Sequence, residues 1–129
     1  MTNPYALRQD TEDLLRVILQ ALEDKKAEDV RTIGVGAISS VAEVFVVATG
    51  TSQRHASTLA ETVIDATKAQ SIAPYGSEGL GTGWALIDFS DIVVHLFDRE
   101  TREYYDLDKL WMDAPEIKLE SISETNAAQ

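Results

Sequence analysis

The chain contains no cysteine, which excludes disulfides, thiolate nucleophiles and thiolate metal ligands and suits a reducing compartment. It has only two histidines, His55 and His95. Neither has a Cys, a Glu-x-x-His or a second histidine nearby, so zinc-ligand spacing is missing. No serine sits in a nucleophile-elbow sequence, and a serine-based triad has no support. The N-terminus MTNPYALRQDTEDLL lacks the basic start and apolar core of a signal peptide. Apolar runs fall well short of the roughly 20 residues that a membrane span needs. Positive charge is scarce as well: 11 Lys and Arg stand against 22 Asp and Glu, a net charge of −11. A phosphate backbone repels such a chain unless a basic patch is segregated, and none is. These absences describe a soluble cytoplasmic protein without direct nucleic-acid binding as its main activity. The acidity fits a basic protein partner, because charge complementarity speeds encounter; solubility alone is the other reading.

What is present is one domain's worth of core. The 129 residues are 44% hydrophobic, enough for a single domain and too few for two. Leu7, Leu14, Leu15, Ile18 and Leu22 form one stripe at helical spacing, which predicts a helix from Pro4 to Lys26. Pro4 suits its first turn and Lys25 and Lys26 its last. Val30 to Val35 and the β-branched run Val41 to Thr49 predict two strands, the second buried and central. A turn at Gly50 leads into a predicted helix from Ser52 to Gln70, with Thr51 or Ser52 as its cap and an apolar stripe of Ala56, Leu59, Ala60, Val63, Ile64 and Thr67. The glycine-rich joint SIAPYGSEGLGTG, Ser71 to Gly83, predicts a short strand at Tyr75 to Glu78 followed by a mobile loop. After Pro115 the pattern gives way to a polar tail, residues 116–129, next to a domain of residues 1–115. The order α-β-β-α-β-β-β-α predicts an α/β fold: one mixed sheet flanked by helices.

Residues 84 to 111, WALIDFSDIVVHLFDRETREYYDLDKLW, hold both tryptophans. Trp84, Leu86 and Asp88 alternate with Ala85, Ile87 and Phe89; Val93, His95 and Phe97 alternate with Ile92, Val94 and Leu96. The result is a hairpin, apolar on nearly both faces, with Phe89-Ser90 as a two-residue connection lacking the usual glycine. One face must pack on helices; the other needs a cover from the fold or from a partner. Trp84 opens its strand directly after the glycine loop, at an edge, which makes it the anchor candidate. Tyr104 and Tyr105 beside acidic residues suit an interface with a wet rim.

Enzyme chemistry fares poorly on the same residues. ATGTSQRH, Ala48 to His55, offers an anion site at a helix start, yet it lacks the lysine and second glycine of a phosphate loop and reads better as a capped helix. The glycines at 76, 79, 81 and 83 precede a strand, whereas a dinucleotide fingerprint opens a helix. Asp88 and Asp91 flank a turn, three apart, where turn capping is a better role than holding a divalent ion. A metal-dependent nucleotide-binding or nucleotidyl-transfer enzyme is thus the alternative reading, with Asp88 and Asp91 as its metal ligands.

At these residues the chain resembles the ribosomal silencing factor family, RsfS, also called Iojap-like proteins. The matching motifs are FVVATGTSQRH (Phe45 to His55), EG…GW (Glu78 to Trp84), LIDFSDIVVHLF (Leu86 to Phe97) and REYYDLDKLWMDAP (Arg102 to Pro115), in order across residues 10–115. The resemblance implies a nucleotidyltransferase-like topology without catalytic residues, cofactor or metal. It implies a translation repressor that binds the large ribosomal subunit through ribosomal protein uL-fourteen and blocks joining with the small subunit under nutrient limitation. Little direct nucleic-acid contact and no membrane are expected, and the free protein is expected to be a homodimer. Trp84 matches the family tryptophan implicated in partner contact; Asp88, Asp91 and His95 match the family's Asp-x-x-Asp…His hairpin; Phe97, Tyr104 and Tyr105 lie along the implied contact surface. Departures are local: Glu43-Val44 replace an Asp-aromatic pair, Ser90 a turn glycine, and Asp98 a position often held by His.

Overall fold

The leucine stripe of the first segment forms helix α1, Gln9–Asp24, and buries Leu14, Leu15, Ile18 and Leu22. The computed structural model describes residues 7–36, 39, 42–106, 109 and 114–117, so the predicted start at Pro4 and the Trp111 of the terminal segment lie outside the described residues. α1 stops before Lys25, which is its C-cap, and Lys26 turns left-handed at φ +60°. Both lysines therefore follow the last turn rather than closing it. Strands β1 (Glu28–Gly34) and β2 (Val44–Gly50) come next, then α2 (Gln53–Ala69), β3 (Gly76–Glu78), β4 (Trp84–Asp88), β5 (Ile92–Asp98) and α3 (Arg99–Tyr105). This is the order read from the sequence. Ser52 caps α2 by accepting from the His55 N–H at 3.0 Å, which satisfies one of the free donors of the first turn.

The five strands form one mixed sheet in the order β1-β2-β5-β4-β3. β2 and β5 pair in parallel at its centre, and the other neighbours are antiparallel. Period-two alternation splits the sheet into two faces. On the first, Val44, Val46, Ala48, Ala85, Ile87, Phe89, Ile92, Val94 and Leu96 pack against the stripes of α1 and α2 in the main core. On the second, Ile33, Val47 and Phe97 are buried with half-buried Phe45, Trp84 and Val93 around them. The outer edge of β1 is also tied down: Gly34 N–H donates to the Pro115 carbonyl and Ile117 N–H to that of Thr32. The predicted tail thus begins with two residues held on the sheet, and its remainder lies outside the described residues. Among the described residues no helix is long and apolar enough to cross a membrane.

The hairpin turn sits one residue later than predicted. Phe89 N–H donates to the Ile92 carbonyl, so the turn is centred on Ser90-Asp91, and Asp91 N–H closes back on Phe89 at 3.1 Å. This i to i+2 closure drives Ser90 to φ +74°, a conformation costing an L-residue about 1–2 kcal/mol. Asp88 Oδ1 holds the turn by accepting from Ser90 N–H at 2.7 Å. Ser90→Gly should therefore stabilise the protein by about 0.5–1 kcal/mol, relief of strain exceeding the added freedom of the unfolded chain. Thermal unfolding should show a midpoint about 2–4 °C higher; an unchanged or lower midpoint would show that the turn stores no strain.

Candidate partner-binding surface

Pairing register lays the second face out in rows. Thr49, Phe97 and Trp84 are aligned across β2, β5 and β4; Val47, His95 and Leu86 form the next row; Phe45, Val93 and Asp88 the third. α1 and α2 pack on the opposite face. Trp84 is the hub of an aromatic group, its ring 5.0 Å from Phe97, 5.1 Å from Tyr105 and 6.1 Å from His95. Its indole Nε1–H donates to His95 Nδ1 at 3.3 Å. Phe45 meets the His95 ring edge-on at 4.8 Å, and Tyr104 meets Tyr105 at 5.1 Å. The arrangement is graded in exposure: Phe97 and His95 are buried, Trp84 is half-buried, and Tyr105 and Tyr104 are 51% and 80% exposed. Phe97 and His95 are a floor, whereas Trp84 and the tyrosines reach the surface. That gradient resembles an interface anchor set in a supporting ring.

Glycines explain why Trp84 sits where it does. Gly79 has φ +71°, and a Cβ there would lie 2.1 Å from the Trp84 carbonyl oxygen; a Cβ on Gly83 would lie 2.3 Å from Thr101 Oγ1. The joint expected to be a mobile loop is also knitted through one hydroxyl: Thr82 Oγ1 donates to the Gly79 carbonyl at 2.6 Å and accepts from Trp84 N–H at 3.2 Å. The EG…GW pattern thus serves close chain packing.

His95 is held neutral. Burial alone pushes its imidazole down from the ordinary 6.5 to about 4, because a cation loses hydration there. With Nδ1 accepting from Trp84, the proton of the neutral ring belongs on Nε2.

α3 is capped by Asp98, whose Oδ1 accepts from Thr101 N–H at 2.7 Å. The family departure at position 98 is therefore a helix cap, a signal already present in the Asp-x-x-Thr spacing. Two further residues escaped the sequence reading. Arg99 makes a two-pronged contact with Glu28, Nε to Oε1 at 2.8 Å and Nη2 to Oε2 at 2.6 Å. Arg102 Nη1 donates to the Asp29 carbonyl at 2.7 Å and to Thr49 Oγ1 at 2.6 Å. The Arg99 guanidinium holds the Glu28 carboxyl below its ordinary value, and Glu28 in turn raises Arg99.

The remaining candidates lie apart. Asp88 shares the face of Trp84 but stands at the far end of β4, capping the turn. Asp91 belongs to the other side: its Oδ2 accepts from Thr11 Oγ1 at 3.3 Å and pairs with Arg8 at 3.4 Å, tying the hairpin to the start of α1. The two carboxylates of the metal-enzyme reading do not converge, and among the described residues no group of three His, Asp or Glu is placed to hold a metal ion. At the start of α2 two donors are used locally, Thr51 N–H on His55 Nδ1 at 2.8 Å and His55 N–H on Ser52 Oγ. Gly50 is needed by the helix itself, since a Cβ there would lie 2.6 Å from Ala56 N.

Residues 8–129 match the family described as "Ribosomal silencing factor during starvation", RsfS. The ribosomal silencing factor RsfS of Halalkalibacterium halodurans is 37% identical over 112 residues, covering 86% of this chain and 96% of that protein. The RsfS of Bacillus subtilis is 36% identical over 103 residues, covering 79% and 87% respectively. A crystal structure from Bacillus halodurans superposes with a TM-score of 0.74 at 34% identity, over 84% of this chain and 99% of that one.

Proposed function

The chain belongs to the RsfS family of ribosomal silencing factors, and we propose that it represses translation in the cytoplasm by binding the large ribosomal subunit through ribosomal protein uL-fourteen. A domain seated there blocks joining with the small subunit by its bulk. The observation that carries this reading is the aromatic group of Trp84, Tyr105 and Tyr104 at the surface of the sheet face away from α1 and α2. An aromatic anchor with a polar rim is what a protein partner grips. The charge of −11 favours a basic ribosomal protein over the rRNA beside it. Asp88, Asp91 and His95 enter the reading differently: Asp88 as a rim carboxylate, and Asp91 and His95 as supports for the hairpin and for Trp84.

Sedimentation of purified subunits through a gradient tests the mechanism. The protein should travel with the large subunit, reduce joined ribosomes in a dose that saturates near one copy per subunit, and need no nucleotide or added metal. Normal joining with the protein left at the top of the gradient would sink the proposal.

A further inference from the structure

None of the seven residues of α3 is buried, so apolar burial does not hold this helix on the sheet, although it carries Tyr104 and Tyr105. Among the described residues its ring contact with the body of the domain is Tyr105 against Trp84. Much of the remaining attachment is polar. Arg99 and Arg102 are three residues apart and share one helical face. Arg99 grips the Glu28 carboxylate with two parallel bonds, and Arg102 bridges the Asp29 carbonyl to the Thr49 hydroxyl.

The receiving side is shaped for that grip. β1 shifts register between Glu28 and Arg31, and Asp29 adopts φ +46°. Bulges of this kind re-aim groups at strand edges, and strained conformations persist where their surroundings hold them. Here the re-aimed group is the carbonyl that receives Arg102. Glu28, Asp29, Thr49, Arg99 and Arg102 line a groove of about 420 Å³, and Asp106, at φ +49°, ends α3 on its rim.

We infer that Arg99 and Arg102 are positioning residues: they clamp α3 to the bulge of β1 and so hold Tyr105 against Trp84, with Tyr104 edge-on to Tyr105, in the arrangement the partner meets. This rests on the silencing-factor reading above. The clamp acts on partner binding through the two tyrosines that α3 carries.

Arg99→Ala, Arg102→Ala and the charge-exchanged pair Glu28→Arg with Arg99→Glu are compared with the wild-type full chain. Each alanine variant should bind purified large subunits about tenfold more weakly, while Arg99→Ala keeps its thermal midpoint, since exposed ion pairs contribute little to stability. The exchanged pair should restore affinity. In parallel, the Trp84 indole N–H resonance (assigned against Trp84→Phe) and the Tyr105 ring resonances should move in the alanine variants and return in the exchanged pair. Wild-type affinity in both alanine variants, or unmoved Trp84 and Tyr105 resonances, overturns the clamp. Should Arg102→Ala fail to fold, Arg99→Ala and the exchanged pair decide. A wild-type chain that does not bind the subunit sinks the functional reading instead, and the resonances still decide the clamp.

Discussion

Replacing Trp84 with alanine is expected to weaken binding to the large ribosomal subunit by about thirtyfold or more, roughly 2 kcal/mol. Two losses combine. The indole supplies the widest part of the surface-reaching aromatic group, and Tyr105 leans on it at 5.1 Å. Without it the tyrosine loses its backing and must be ordered by the partner, at a cost in side-chain entropy. The substitution also leaves a gap above Phe97, 5.0 Å away. That gap lowers fold stability by roughly 2 kcal/mol, below the range for a fully buried ring because Trp84 is half-buried. Titration well below the unfolding midpoint, with circular dichroism confirming a folded variant, separates the two losses. Trp84→Phe should fall in between, keeping a ring over Phe97 but losing the bond to His95 Nδ1. Wild-type affinity in a folded Trp84→Ala chain would remove Trp84 from the binding surface and leave Tyr104 and Tyr105 as its exposed aromatic candidates among the described residues.

Much of this surface was readable from alternation. Period two set Trp84, Leu86 and Asp88 on one side of one strand and Val93, His95 and Phe97 on one side of the next, and the pairing of β4 with β5 brings those two sets onto one face. Helical spacing found the stripes of α1 and α2 because burial selects apolar residues every third or fourth position. The contacts that escaped have no such periodicity. The terminal helix was expected, but α3 spans seven residues and buries none, so no stripe marks the face by which it docks. Arg99 and Arg102 work through partners 71 and 53 positions away, Glu28 and Thr49, and separation on that scale leaves no local pattern. Asp91 looked equivalent to Asp88 across the turn, yet it is itself a turn residue, ahead of the start of β5, where strand alternation no longer fixes the side of the sheet it faces. Its partners are Arg8 and Thr11, on α1's side of the sheet. The turn glycine that the family favours was the one available clue, since Ser90 in its place takes the left-handed conformation.

Acid should destabilise this protein before its carboxylates titrate, and His95 is the cause. Its folded imidazole is lowered from 6.5 to about 4 by burial, whereas in the unfolded chain it takes its ordinary value. Above pH 6.5 both states are neutral and the full stability is present. Between pH 6.5 and 4 the unfolded chain binds a proton that the folded one refuses, so stability falls as pH falls. The loss from this group reaches roughly 3 kcal/mol by pH 4, of which about 2 kcal/mol has gone by pH 5. The Glu28 carboxyl, held below its ordinary 4.5, contributes stability that is present above 4.5 and lost only at lower pH, so the two windows are separate. Urea unfolding from pH 7.5 to 5 keeps the chain above its pI of about 4.4, where loss of net charge invites association. His95→Asn supplies the contrast: its Oδ1 can still accept from the Trp84 indole, and it does not titrate. The variant should start less stable at neutral pH, having lost the ring contacts with Phe45 and Phe97, and the two stability curves should converge by about 2 kcal/mol towards pH 5. Parallel curves would mean that the folded protein accepts the proton on His95, in which case the neutral floor beneath Trp84 does not exist.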